Sequence, residues 1–160
     1  MALSFPDGQD FLPPGAHEAT VDEVKQGLVD AFPASRTRAP IYQDWLGLRN
    51  DIASILPIER QWLDGSFATR KLDPNDLDLA TFVDPEAIEH LDTEREAQLN
   101  ALTSGKSDAF GLCDSFLVVP YPPGHPLHEV SNSLIDGFSE VFFGSGAAGP
   151  GSKGFVEVAG

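Results

Sequence analysis

Apolar side chains recur every three or four residues in four stretches of the chain, and this spacing predicts four amphipathic helices. The first helix follows a capping box formed by Thr20 and Glu23 and ends at Pro33. The second stops before Pro57, and the third begins at Pro85 and ends at residues 104–106. The apolar stripes of the second, third and fourth helices are Ile41, Trp45, Leu48, Ile52 and Ile55; Ile88, Leu91, Leu99 and Leu102; and Leu127, Val130, Leu134, Phe138, Val141 and Phe142.

Shorter runs of β-forming residues predict strands at 61–64, 76–83, 113–119 and 155–158. Two helices therefore come first, and strands then alternate with helices. This order predicts an α/β or α+β domain, with a small mixed sheet flanked by helices.

The length of 160 residues fits one domain covering residues 1–160. Residues 1–15, which contain three prolines, are predicted as an irregular arm. Residues 144–154 are rich in glycine and are predicted as a mobile loop that contributes no catalytic group.

The formal net charge of -15 argues against a broad surface for nucleic acid, because a negative field repels a phosphate backbone. A nucleotide remains compatible with this charge, since a bound metal offsets phosphate charge locally. Six of the ten basic residues crowd into one stretch, and most are interpreted as solvated. They are Arg36, Arg38, Arg49, Arg60, Arg70 and Lys71. Arg70 and Lys71 are the two that we expect to face a triphosphate.

The lone cysteine excludes an internal disulfide framework, which suits a reducing compartment. The first residues lack both a basic region and a long apolar stretch, so no signal peptide is predicted. No apolar run has the length that crosses a membrane. These features predict a soluble, cytoplasmic protein without a membrane partner.

The segment Asp76-Leu77-Asp78-Leu79 carries the strongest chemical signal. Residues two apart on a strand point to the same face, so Asp76 and Asp78 present two carboxylates together while Leu77 and Leu79 face the core. Adjacent carboxylates repel each other unless a cation lies between them, and Mg²⁺ prefers such oxygen ligands. An alternative interpretation places Asp76 in a turn and leaves Asp78 facing solvent on an edge strand.

Gly65 and Ser66 directly follow the predicted strand 61–64. Glycine has no side chain to block a phosphate from the backbone, and backbone N–H groups at a strand-to-helix turn can hold phosphate oxygens. Ser66 can add a hydroxyl. Asp64, which precedes the glycine, is interpreted as holding the turn through backbone hydrogen bonds.

This pattern resembles the nucleotidyltransferase superfamily, which includes polymerase-beta-like and minimal nucleotidyltransferase proteins. A Gly-Ser after one strand, an Asp-x-Asp on the next and a later third carboxylate mark that superfamily. The chain also looks like an uncharacterised bacterial group within it. The stretches that carry this second resemblance are 12–15, 62–67, 74–78 and 123–126.

The resemblance implies a nucleotidyltransferase-like fold and assigns the third carboxylate to Asp114. Magnesium, at one or two sites, would then be held by Asp76, Asp78 and Asp114, with a nucleoside triphosphate at Gly65 and Ser66. The implied activity moves a nucleoside monophosphate to a hydroxyl of a protein, a small molecule or an RNA, including transfer RNA.

One departure from the family pattern keeps a different function class open. Minimal members often carry Arg-Ala-Arg-Gly after Gly-Ser, whereas residues 67–70 here read Phe-Ala-Thr-Arg. The alternative is therefore a degenerate nucleotidyltransferase that acts as a binding module. Resemblance suggests the antitoxin or regulatory half of a toxin–antitoxin or phage-defence pair, with a protein partner.

Overall fold

One mixed sheet of six strands organises the part of the protein that a computed structural model describes, residues 2–144 and 153–160, with side chains given outside 138–144. Strands β1 to β6 are Gly15–Glu18, Arg60–Asp64, Leu77–Phe82, Ser104–Lys106, Cys113–Val118 and Gly154–Ala159. Their spatial order is β1-β6-β2-β3-β5-β4. The β1–β6 and β3–β5 pairs are parallel, and the other three pairs are antiparallel. The predicted fold class, a mixed sheet with flanking helices, is confirmed.

Helices α1 to α5 are Val21–Lys25, Arg38–Ile55, Pro85–Glu89, Thr93–Leu102 and His128–Gly144. The capping box before α1 is confirmed: Thr20 Oγ1 accepts from the Glu23 N–H at 3.1 Å, and Glu23 Oε2 accepts from the Thr20 N–H at 2.8 Å. A π-helical turn, Gln26–Asp30, continues α1. Within residues 2–144 and 153–160, no helix has the length and apolar character needed to cross a membrane.

The third predicted helix is in fact two, α3 and α4. Asp92 separates them because its carboxylate accepts a hydrogen bond from the Arg95 N–H at 2.8 Å and so caps a new helix. Both helices lie in the segment that connects β3 to β4.

The two faces of the sheet have different surroundings. Leu63, Leu79 and Val156 belong to the main core, together with the buried face of α2. Trp62, Ala80 and Phe155 belong to a smaller apolar cluster on the opposite face, where Ile135 of α5 packs against them. Since residues two apart share a face, the acidic residues two positions from Trp62 and Ala80 lie on this second face.

Three predictions need correction. β1 begins at Gly15, at the end of the arm predicted as irregular, and residues 104–106 form the edge strand β4 rather than a helix end. Both strands are short and lack apolar alternation, so pairing with β6 and β5 stabilises them rather than their own sequence. Arg38 is fully buried and does not belong to a solvated face.

Candidate functional site

Three aspartates and a lysine form one row across four adjacent strands. Asp64 of β2 pairs with Asp78 of β3, Asp78 pairs with Asp114 of β5, and Asp114 pairs with Lys106 of β4. Directly paired residues point to the same face, with Cβ atoms about 5 Å apart. The sheet therefore sets three carboxylates side by side, and we call Asp64, Asp78, Asp114 and Lys106 the carboxylate row.

A fourth carboxylate lies next to this row, at the end that Lys106 occupies. Asp76 comes one residue before β3 and two before Asp78, as the predicted alternation requires. The Lys106 ammonium lies 2.8 Å from Asp76 Oδ2, and the two side chains are 51% and 30% exposed. The hydrogen bond that Lys106 donates to Asp76 is the largest cause of the raised pKa of Lys106, and the negative charges of Asp76, Asp114 and Asp78 raise it further.

The other end of the row is buried. The Lys153 ammonium lies 2.8 Å from Asp64 Oδ1, and these side chains are only 6% and 4% exposed. The same ammonium donates a hydrogen bond to the Gly65 carbonyl at 3.2 Å. Burial raises the pKa of Asp64 to about 7, although the positive charge of Lys153 opposes that rise.

Gly65 brings the backbone against the middle of the row. Its φ of +75° is a left-handed conformation, and a Cβ at this position would lie 2.7 Å from Asp78 Oδ2. Both the conformation and the contact require glycine. The prediction that Gly65 and Ser66 end a strand beside the strand of Asp78 is confirmed, because they open the 3₁₀ turn Gly65–Ala68 that follows β2.

Asp78 lies at the electrostatic centre of the site. Burial is the largest cause of its raised pKa, and the negative charges of Asp76 and Asp114 raise it further. Lys153 and Lys106 partly offset these effects. The register confirms that Asp114 lies on a strand next to Asp78 and on the same face of the sheet. That this face forms a cleft, and that Asp114 is a ligand, stay predictions.

Arg38 fixes the loop that follows Gly65. From α2, its guanidinium donates to the carbonyls of Phe67, Thr69 and Lys71 at 2.7, 2.6 and 2.6 Å. It also donates to the Leu28 carbonyl at 2.9 Å. Burial lowers the pKa of Arg38 to about 10, so its charge is retained at neutral pH. Backbone carbonyls thus accept from both terminal nitrogens of a buried cation, while its Nε has no hydrogen-bond partner among the described residues, and the loop after the turn gains a rigid support.

The two basic residues expected at a triphosphate have other contacts in the structure. Arg70 donates to the carbonyls of Phe5 and Pro6 at 3.1 and 3.0 Å, which ties the N-terminal arm to the loop. Lys71 is exposed, and its carbonyl accepts from Arg38. Ser66 is partly exposed in the turn. Nucleotide binding by these three residues stays a prediction.

Lys153, near the end of the predicted loop 144–154, contacts Asp64, and residues 145–152 lie outside the described residues. That this loop contributes no catalytic group stays a prediction. Asp64 does receive the predicted backbone hydrogen bond, from Gly65, but its ion pair with Lys153 was not predicted. Lys106 was also missed. The one signal for Lys106 in the sequence is that it directly follows a glycine, Gly105. In the structure, Gly105 has a φ of +88° on β4.

Within the described part of the chain, no group of three or more His, Cys, Asp or Glu side chains stands in metal-binding geometry. Two of the four carboxylates are instead paired with lysines. A cation bound between Asp76, Asp78 and Asp114 would therefore compete with Lys106 for Asp76.

Comparison with known proteins gives a family but no characterised relative. No curated protein and no solved structure matches the chain. One family model, described as a family of unknown function, matches residues 3–159 and so includes every strand of the sheet and the whole carboxylate row. The chain belongs to this family, DUF6932.

Proposed function

We propose that the protein is a magnesium-dependent nucleotidyltransferase, which moves a nucleoside monophosphate from a nucleoside triphosphate to a hydroxyl. The observation that carries the proposal is the register of Asp64, Asp78 and Asp114 on three adjacent strands, with Gly65 packed against the middle carboxylate. The alternative interpretation places Asp78 on an edge strand, facing solvent. That interpretation would require neither three carboxylates in register nor a glycine in contact with Asp78.

The donor set fits magnesium. Asp76, Asp78 and Asp114 offer carboxylate oxygens, the ligand type that Mg²⁺ prefers. After burial, the negative charges of Asp76 and Asp114 are the next causes of the raised pKa of Asp78. Magnesium, when bound, would neutralise phosphate charge and lower the pKa of the acceptor hydroxyl. The attraction of each carboxylate to the bound Mg²⁺ would then offset the repulsion between neighbouring carboxylates.

The remaining residues of the site have positioning roles in this proposal. Gly65 brings the turn against Asp78, so a phosphate on a cation at that carboxylate would lie close to the N–H groups of the turn. Lys153 holds both the carboxylate of Asp64 and the carbonyl of Gly65, and Arg38 holds the loop beyond. The turn is thus fixed from two sides, which reduces the ordering cost when a nucleotide binds.

The net charge of -15 favours a protein or small-molecule acceptor over a long nucleic acid, because a phosphate backbone would be repelled along its length. A nucleoside triphosphate brings its charge to one point, where Lys106 lies at the exposed end of the row and magnesium would offset the phosphate charge. The acceptor hydroxyl would approach Asp114, which stands nearest the open edge strand β4.

A second candidate function is nucleotide binding without transfer, as the regulatory half of a toxin–antitoxin or phage-defence pair. The ion pair between Lys106 and Asp76 favours it, since an internal cation already contacts one carboxylate expected to bind magnesium. Arg70, expected at the triphosphate, instead donates to the Phe5 carbonyl of the N-terminal arm, which also favours a function without transfer. Such a module would bind the nucleotide and transfer nothing.

Thermal melting of the variant Asp78→Asn tests the site. Two carboxylates about 5 Å apart repel by roughly 3 kcal/mol at an effective dielectric of about 20, and by less where water enters. In chelator we therefore expect Asp78→Asn to melt at least as high as the parent protein. With Mg²⁺ and nucleoside triphosphate, the parent should gain stability and the variant should lose most of that gain.

The matched control is Asp51→Asn, which makes the same charge change on the exposed side of α2. It should keep the full response to magnesium and nucleotide. A parent protein whose melting temperature does not respond to any nucleoside triphosphate with Mg²⁺ would contradict the proposed site.

Labelled nucleoside triphosphates, Mg²⁺ and cell lysate separate the two candidate functions. A transferase attaches label to an acceptor, and Asp78→Asn abolishes that labelling while Asp51→Asn retains it. A binding module shows the melting response without transfer. Nuclease and protease digestion of the labelled product then identifies RNA or protein as the acceptor.

A further inference from the structure

Lys106 stands at the exposed end of the carboxylate row and is not among the residues that the sequence predicted. The edge strand β4 holds it in register with Asp114. Its ammonium reaches past Asp114 to Asp76, which precedes the neighbouring strand β3 on the far side of β5. Gly105, which precedes Lys106, has a φ of +88°, a left-handed conformation that favours glycine.

We propose that Lys106 binds the phosphates of the nucleotide and that its ammonium exchanges between Asp76 and a phosphate oxygen. The inference rests on the proposed function and adds a substrate-binding residue to it. When Asp76 binds a metal cation, the Lys106 ammonium loses its carboxylate partner. A phosphate that shares the cation then offers the ammonium a new anionic partner at the same place.

The ion pair has the properties that exchange requires. Half of the Lys106 side chain is exposed, and exposed ion pairs contribute little to stability, so breaking this one costs little. The four-carbon stem of lysine lets the ammonium move while the strand stays in place. Neighbouring strands lie about 4.8 Å apart, so phosphates on a cation at Asp78 and Asp114 lie within reach of β4.

The other basic residues near the turn are less suited to this role. Lys153 is buried, and its ammonium is held by Asp64 and by the Gly65 carbonyl. Arg38 is buried among four carbonyls, and Arg70 is held by the arm. Lys71 is exposed but lies in the loop beyond the turn, whereas Lys106 is exposed and in register with the carboxylate row itself.

The proposal predicts that removal of the ammonium has opposite effects on two ligands. Lys106→Met frees Asp76 for the cation, so Mg²⁺ alone should bind severalfold more tightly. The same variant lacks the phosphate partner, so the complex of Mg²⁺ with a non-hydrolysable triphosphate analogue should bind at least about tenfold more weakly, the loss expected for one charge-assisted hydrogen bond. A residue with only a structural role would weaken both.

Isothermal titration of the full chain, first with MgCl₂ and then with the analogue in excess Mg²⁺, measures both affinities. Lys106→Arg keeps a cation and should retain most of the analogue affinity. Lys25→Met is the matched control, because Lys25 and Asp30 form an exposed ion pair of 2.9 Å, with side chains 48% and 51% exposed. It should change neither affinity.

Each outcome decides the question. An analogue affinity that Lys106→Met leaves unchanged, or two affinities that fall together, overturns the role of Lys106 while the proposed function stands. A parent protein that binds neither Mg²⁺ nor the analogue overturns the proposed function and this inference with it.

Discussion

The two ends of the carboxylate row carry the same chemistry in opposite surroundings. At one end Lys153 and Asp64 are 2.8 Å apart, and at the other Lys106 and Asp76 are also 2.8 Å apart. The first pair is almost fully buried, whereas half of Lys106 and a third of Asp76 are exposed. Distance alone therefore does not distinguish the two pairs, and burial does.

This difference separates a permanent contact from an exchangeable one. A buried charge that loses its partner stays in a medium of low polarity, and the penalty is large. An exposed charge that loses its partner is taken over by water or by a ligand. Lys153 is thus suited to hold the turn at Gly65 in one geometry, and Lys106 is suited to change partners during binding.

The largest expected effect separates the two lysines by stability. Lys153→Met leaves Asp64 buried without a counter-charge and should lower the free energy of unfolding by about 3–5 kcal/mol above neutral pH. Lys106→Met should leave it nearly unchanged, because this ion pair is exposed to solvent. Urea unfolding at pH 8 in chelator measures both.

The double variant Asp64→Asn with Lys153→Met controls for packing, since it removes both buried charges and keeps similar shapes. It should recover much of the stability lost by Lys153→Met alone. Equal losses for Lys153→Met and Lys106→Met would contradict the contrast between the two ends.

A second prediction uses pH to detect the buried pair. The pKa of Asp64 is raised from 3.8 to about 7 by burial, so its protonation contributes stability that is fully present below pH 3.8 and is lost as the pH rises through about 7. The stability of the parent relative to Asp64→Asn should therefore fall across this window, by at most about 1.4 kcal/mol for each pH unit.

The groups facing Asp64 are Lys153, whose charge opposes the raised pKa, and Asp78, whose charge supports it. Denaturant melts at pH 4, 5.5, 7 and 8, all in chelator, follow the difference. A stability difference that rises with pH would mean that Lys153 lowers the pKa of Asp64 by more than burial raises it.

A third prediction, the smallest, concerns the turn between the two ends. Gly65→Ala places a Cβ 2.7 Å from Asp78 Oδ2, while Gly8→Ala meets no atom within 4 Å. The two glycines have nearly equal φ values, +75° and +74°, so both substitutions carry the same backbone strain. We expect Gly65→Ala to be less stable than Gly8→Ala by about 1–3 kcal/mol, the cost of overpacking.

Melting temperatures of the two variants in chelator make this comparison. If they are lowered equally, the contact between Gly65 and Asp78 contributes nothing beyond the backbone conformation.

The central part of the site could be predicted because its signals are local. The alternation of Asp76, Leu77, Asp78 and Leu79 has the period of a strand, and Gly65 follows an apolar strand directly. The main helix α2 was predicted for the same reason, through its stripe of buried residues. Periodicity and turn chemistry act over a few residues, and they were sufficient here.

The parts that were missed depend on contacts between distant segments. Lys153 lies 88 residues from Gly65 in sequence, and no local pattern indicates that the two meet. Ser104-Gly105-Lys106 has the composition of a helix end, and only pairing with β5 makes it a strand. Arg38 could not be told apart from the other basic residues of its stretch, because its four carbonyl partners come from two separate segments of the chain.

The position of β6 in the sheet has a consequence for synthesis on the ribosome. This strand is the last of the six to be translated, yet it lies between β1 and β2. Until it emerges, β1 has no neighbour in the sheet and the edge of β2 offers unpaired backbone to other nascent chains, a hazard for aggregation. Lys153 emerges just before this strand, so Asp64 acquires its counter-charge only as the sheet closes. A chain released before residue 153 was added would therefore have an open sheet and an Asp64 without its counter-charge.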